Sequence, residues 1–261
     1  MEKEIEIFDR NQAEEQFQLQ NSFLESRKQK IDEFKQDIRD GVKEKFIKNA
    51  APKTLLNFPE EKKLIILIDI VGFSKSETRE QVYDIYLFQK YLRTMEIANR
   101  LNFLDGIRIQ NFIPTGDGCY IIADDCDPEP AVNFLLDLIS GFQILQNDEE
   151  EPISLRVSAL LGNCVPFMDI ARHKNYIGEG MNEAARILSG GQKILEETFV
   201  KETQNPVQEA KIFSRNSLYV GDSLAQQLEK ESVKGNKLYK FTAVPDKHGK
   251  TRNITVLQGI S

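Results

Sequence analysis

Five consecutive apolar residues, Leu64-Ile65-Ile66-Leu67-Ile68, run into a lone carboxylate, Asp69, and then through Ile70 and Val71 to the turn Gly72-Phe73-Ser74. Charged Glu60-Glu61-Lys62-Lys63 precede the run and polar Lys75-Ser76-Glu77 follow it. An unbroken apolar run of this length, bounded by polar residues, predicts a central strand covered on both faces. A carboxylate at the end of such a strand is costly unless a partner or a cation compensates it. A second glycine-flanked acid, Asp117 in Thr115-Gly116-Asp117-Gly118, supplies a candidate companion. The spacing alone leaves two readings open. Either Asp69 and Asp117 converge on a shared cation, or Asp69 caps the following helix and Asp117 stabilises a turn.

The 261 residues suffice for one large domain, or for one domain with an extension. A net charge of −7 argues against electrostatic binding of nucleic acid or of an anionic membrane. Three cysteines, Cys119, Cys126 and Cys164, share no metal-ligand spacing and read as reduced thiols. Met1-Glu2-Lys3-Glu4 opens without a basic and apolar leader, and no apolar run reaches membrane-spanning length, so a cytoplasmic location is expected.

Residues 1–58 are rich in Glu, Gln, Lys and Asp, with Ile31, Phe34, Ile38, Val42 and Phe46 in one narrow stripe at three- and four-residue spacing. They are expected to form a helical extension that packs on the main domain or pairs with a second chain. Pro52, Asn57 and Pro59 mark a linker. From there the expected order is the Leu64–Asp69 strand, a helix from Thr78 to about Leu101, and a hairpin of Ile107–Ile113 and Cys119–Ala123. A helix from Ala131 to Leu145 follows, then a strand from Ile153 to Leu161 ended by Gly162-Asn163. After a loop from Pro166 to Tyr176 come a helix from Met181 to Leu188 closed by Gly190-Gly191, a helix near Ser223–Glu231, and a last strand, Lys237–Ala243. Residues 59–245 are thus expected to be one α/β domain with helices flanking a sheet, and residues 246–261 a tail.

Three segments, Ile68–Ser74, Thr115–Gly118 and Tyr176–Arg186, together with Val233-Lys234-Gly235, stand in the order and approximate spacing of class III nucleotidyl cyclases. The chain resembles that family over roughly residues 60–243. The resemblance implies a ferredoxin-like α+β sheet and catalytic domains joined head to tail as a homodimer, each site drawing residues from both chains. It implies that Asp69, Asp117 and the carbonyl of Ile70 hold two divalent cations, Mg²⁺ or Mn²⁺. The implied reaction is attack of a ribose 3′-hydroxyl on the α-phosphate of a nucleoside triphosphate, with loss of pyrophosphate. Gly72, Phe73 and Ser74 match the turn whose amides approach the triphosphate, Lys234 a lysine on the outer phosphates, and Asn182 and Arg186 the ribose-orienting asparagine and the arginine facing the transferring phosphorus. Asn182 and Arg186 lie four apart, hence on one helical face. The two histidines, His173 and His248, fall outside these motifs and read as surface residues.

At the two positions where purine-specific members carry a lysine and an aspartate or short hydroxyl residue, this chain has Ile113 and Asn175. Isoleucine cannot hydrogen-bond a base edge, and asparagine both donates and accepts. In this respect the chain is similar to the pyrimidine cyclases of bacterial anti-phage systems. That similarity implies UTP or CTP as substrate and a separate effector protein that reads the cyclic product.

Overall fold

The computed structural model describes residues 36, 59–101, 107–146, 153–169, 171–204, 209–210, 214–231, 237–245 and 249–258. Apart from residue 36, the expected helical extension lies outside them, as do Lys234 and His248. Residues 60–261 form a compact unit of their own. Its first six elements are β1 (Glu61–Ile70), α1 (Thr78–Arg100), β2 (Ile109–Pro114), β3 (Gly118–Asp124), α2 (Pro128–Gln146) and β4 (Leu155–Met168). The strands align as β2-β3-β1-β4, every neighbouring pair antiparallel, which is the ferredoxin-like arrangement of a βαββαβ chain. Next come β5 (Lys174–Ile177), α3 (Glu179–Thr203), β6 (Ser217–Val220), α4 (Asp222–Glu231), β7 (Lys237–Pro245) and β8 (Thr251–Gln258). They extend the sheet as β4-β6-β8-β7, with β5 paired to β4 alone.

The apolar run of β1 is explained by helices on both faces. Leu64, Ile66, Ile68 and Ile70 pack with Tyr91, Phe134, Leu138 and Leu224 of α1, α2 and α4, whereas Ile65 and Leu67 pack with Ala184, Ile187 and Leu188 of α3. Each such burial stabilises the fold by about 1.5–3 kcal/mol. Because successive side chains alternate between faces, Asp69 follows Ile65 and Leu67 onto the α3 side. Burial of the strand thus fixes the face on which its acid emerges.

Three expectations for the second half need correction. The strand expected to end at Gly162-Asn163 continues to Met168, because β5 pairs with its far end over Val165–Met168. Most of the expected Pro166–Tyr176 loop is therefore a hairpin. The helix expected to close at Gly190-Gly191 runs on to Thr203, and the left-handed cap is Gln204, with φ 57°. Gly191 is there for packing: a Cβ would lie 2.5 Å from the Tyr219 ring. Nor is the segment from 246 a tail. Its residues Thr251–Gln258 form β8, with Ile254–Leu257 buried between β6 and β7.

Candidate active site

The β2–β3 hairpin and β1 bring the two acids together. Asp69 pairs with Gly118 across the β1–β3 ladder, and the Ile70 amide donates to the Asp117 carbonyl at 3.0 Å. Asp69 and Asp117 line the same cleft, about 320 Å³ in volume, with Thr115, Tyr120 and Arg156 from the sheet and Ala185, Leu188, Ser189 and Gln192 from α3. Burial pushes the Asp69 carboxyl above the usual carboxylate range. Arg156 opposes that shift, and the charge of Asp117 adds to it. Two hard-oxygen donors that repel each other in a half-buried cleft are the donor set that suits Mg²⁺ or Mn²⁺. Among the described residues no group of three or more His, Cys, Asp or Glu gathers as a metal cluster.

Helix capping does not explain Asp69. The cap of α1 is Glu77, whose side chain and that of Glu80 form a reciprocal capping box, with the Glu77 amide donating to Glu80 at 2.9 Å. Between Asp69 and that cap the chain makes a tight turn. Gly72 has φ 84°, a conformation that favours glycine, and Phe73–Lys75 form a single 3₁₀ turn. The Lys75 amide turns back to Gly72 at 2.9 Å, while Phe73 packs on the core and Gly72 and Ser74 are exposed. The first amides of such a turn have no carbonyl within the turn to bond to.

Asn182 and Arg186 sit in the first turns of α3. Gly178, at φ 144°, begins the helix, and its carbonyl accepts the Asn182 amide at 3.3 Å. Three contacts hold this end of α3 against the sheet. Ser158 donates to the Ala184 carbonyl at 2.8 Å, Tyr120 donates to the Met181 carbonyl at 3.1 Å, and Gly180 lies where a Cβ would come within 2.5 Å of Ile65. Asn182 is exposed, and Arg186 is paired with Glu179 at 2.7 Å and with Glu183 at 3.6 Å. Glu183 in turn accepts from Arg252 of β8 at 2.6 Å. Neither Asn182 nor Arg186 lines the cleft of the two acids in the same chain.

Ile113 and Asn175 occupy the strands β2 and β5. Ile113 packs on the α3-side core, and the Asn175 side-chain oxygen accepts its neighbour's amide, that of Tyr176, at 2.7 Å. Asn111 of β2 donates to the Lys174 carbonyl of β5, joining the two edges. His173 is exposed, as expected of a surface residue. The three cysteines are free, Cys119 and Cys164 buried and Cys126 half-buried.

The sequence reading missed Arg156. It stands directly opposite Asp69 on β4, where its side chain pairs with Asp69 and donates to Gln192 of α3. The available signal was a lone arginine in the apolar alternation Leu155-Arg156-Val157-Ser158-Ala159, since a charge in a buried strand needs a partner.

Neither a protein-family model nor a curated protein matches the sequence. Solved structures do match the fold. The catalytic core of a rhodopsin-guanylyl cyclase with converted specificity, solved with ATPαS, superposes with a TM-score of 0.50 at 18% identity, over 76% of this chain and 95% of that one. The adenylate/guanylate cyclase/hydrolase from Silicibacter pomeroyi superposes with a TM-score of 0.50 at 18% identity, over 78% of this chain and 98% of that one. The fold is therefore the α+β fold of class III cyclase catalytic domains. Among the described residues no helix is long and apolar enough to cross a membrane.

Proposed function

We propose that this protein is a nucleotidyl cyclase that converts a pyrimidine nucleoside triphosphate, UTP or CTP, to its 3′,5′-cyclic monophosphate and pyrophosphate. The observation that carries this reading is the convergence of Asp69 and Asp117, from positions far apart in the chain, in one cleft, with the Gly72–Ser74 turn following Asp69 in the chain. In this reading Asp69, Asp117 and the Ile70 carbonyl hold divalent cations, Mn²⁺ or Mg²⁺. When bound, the cations supply activation of the ribose 3′-hydroxyl and charge neutralisation on the phosphates. In this reading the backbone amides of Gly72, Phe73 and Ser74 orient the triphosphate, and Lys234 meets its outer phosphates. Asn182 positions the ribose, and Arg186 offers a planar fork of donors to the equatorial oxygens of the transferring phosphoryl group.

Because Asn182 and Arg186 lie outside the cleft of their own chain, a second copy supplies them, and the working unit is a homodimer with two composite sites. In a single chain Glu179 and Glu183 hold Arg186, and a triphosphate from the partner's side would compete for it. The base preference rests on Ile113 and Asn175. An apolar side chain on β2 and a short amide on β5 provide neither the lysine nor the acid that reads a purine. Within this reading the enzyme works in the cytoplasm, and its product is an alarm signal for a separate effector in anti-phage defence. Incubation of the purified protein with Mn²⁺ and each of the four nucleoside triphosphates tests it. A cyclic pyrimidine nucleotide as main product is expected; cyclic AMP or cyclic GMP as main product would remove the pyrimidine assignment and leave an adenylyl or guanylyl cyclase. No cyclic product from any of the four would indicate a nucleotide-binding module without turnover.

A further inference from the structure

Arg156 is fixed in place from two directions. The β1–β4 ladder sets its Cα opposite that of Asp69, and Gln192 of α3 receives one arm of its guanidinium while Asp69 Oδ2 receives the other. Gln192 is itself held, donating to Glu196 at 2.7 Å, and Glu196 accepts from Ser214 at 2.9 Å. The paired side chains are 18% and 17% exposed, and the Arg156 Nε is buried with no partner among the described residues. Among the described residues, Arg156 is also the one cationic side chain lining the cleft that holds Asp69 and Asp117. An ordinary structural ion pair would have one acid and one base. Here one base faces two acids and engages a single oxygen of one of them, so that Asp69 keeps its other oxygen.

We propose that Arg156 is the resident counter-ion and positioning residue of the acid pair. It occupies one oxygen of Asp69, fixes the plane of that carboxylate, and holds the cleft together whenever no divalent cation is bound. This inference rests on the reading that Asp69 and Asp117 take divalent cations. A fixed monovalent partner and an exchangeable divalent one then share the same carboxylate. Removing the fixed partner leaves a half-buried carboxylate beside a second acid, and a divalent cation becomes the compensating charge that remains. Any ligand that binds the folded state alone raises its stability, so this sharing is measurable without turnover.

The test is thermal unfolding of the full chain in EDTA and in saturating Mn²⁺, for the wild type and for Arg156→Met, Arg156→Gln and Arg156→Lys. The wild type is expected to melt higher in Mn²⁺. In the Met and Gln variants the midpoint in EDTA falls, and the Mn²⁺-induced rise grows to roughly twice that of the wild type or more. Lysine keeps the charge and is expected to restore a rise close to the wild-type value. An equal fall with and without Mn²⁺, leaving the Mn²⁺-induced rise unchanged, would overturn the inference and make Arg156 a structural ion-pair residue. So would a smaller rise in the neutral variants. No rise in the wild type itself would instead overturn the cation reading of the acid pair. Should the Met variant fail to fold, the Gln variant, which keeps a donor toward Asp69, carries the same comparison.

Discussion

Asp69 and Gly118 face each other across the β1–β3 ladder so closely that a Cβ on residue 118 would lie 2.1 Å from the Ile68 carbonyl oxygen. The obstacle is backbone, which a rotamer change cannot relieve. Gly118→Ala is therefore expected to lift the hairpin off β1, to cost about 1–3 kcal/mol in stability and to move Asp117 away from Asp69. At Gly116, with φ 103° and no atom within 4 Å of a Cβ, alanine meets only the backbone strain of that conformation. Denaturant unfolding of Gly118→Ala and Gly116→Ala, with turnover measured alongside, checks this order; a Gly118→Ala protein as stable and active as wild type would refute the close approach.

Asp117 lies in a hairpin tip, and among the described residues its side chain is in no ion pair or hydrogen bond on which the fold depends. Asp117→Asn is therefore expected to keep a wild-type circular dichroism spectrum. Turnover should fall by on the order of 10²–10³-fold or more, the size of losing one preorganised charge-stabilising group. A variant that unfolds instead would assign Asp117 a structural role in the turn.

The separation of the acid cleft from Asn182 and Arg186 within one chain predicts complementation between two dead variants. Asp69→Ala and Arg186→Ala chains, mixed in equal amounts and allowed to exchange, form heterodimers with one intact site each. Random pairing then restores about a quarter of wild-type turnover. Activity measured against mixing time checks it, and no recovery despite demonstrated exchange would count against shared sites.

Base selection is predicted to respond to the two positions that depart from the purine-specific pattern. Ile113→Lys combined with Asn175→Asp places a donor on β2 and an acceptor on β5, and the new carboxylate on β5 can still accept the Tyr176 amide as Asn175 does. The ratio of purine to pyrimidine turnover is expected to rise by about tenfold or more, the scale on which a buried polar reader discriminates. Competition between ATP and UTP in one reaction measures it.

Burial pushes the thiols of Cys119 and Cys164 up to about 11 from the ordinary 9.0. Both are thus more protonated in the folded state than in the unfolded one. Their contribution to stability is complete below about pH 9 and is lost as pH rises toward about 11. Alkylation by iodoacetamide at about pH 8 is expected to label the half-buried Cys126 first and Cys119 and Cys164 only on unfolding, and mass spectrometry of the time course reads the order.

How much of this was legible in the sequence depended on the range of the forces involved. Local patterning was enough for β1, α1, the hairpin and α2, because each buries a regular set of apolar positions, and for the glycine turn after Asp69. It failed where long-range contacts override local signals. Gly162 and Gly191 read as breaks, yet both lie inside elements, because the first is crossed by α3 at Gly180 and the second by the Tyr219 ring. Residues 246–261 read as a tail, yet Thr251–Gln258 is a strand of the sheet, since the partners that bury it, β6 and β7, are defined only by the sheet. For the site, composition marked the acids, whereas the opposition of Arg156 to Asp69 is a matter of strand register, which a single sequence does not specify.

The placement of β8 between β6 and β7 also bears on how the chain is made. Emerging from the ribosome, β7 precedes the strand that bonds it to the rest of the sheet, so it must wait with its edge unsatisfied until β8 clears the exit tunnel and slots in beside it. Assembly of this flank is thus postponed until β8 has been made, and Arg252, carried by that strand, reaches Glu183 only then. The charge cluster around Arg186 is in this way completed only after every residue lining the acid cleft has emerged.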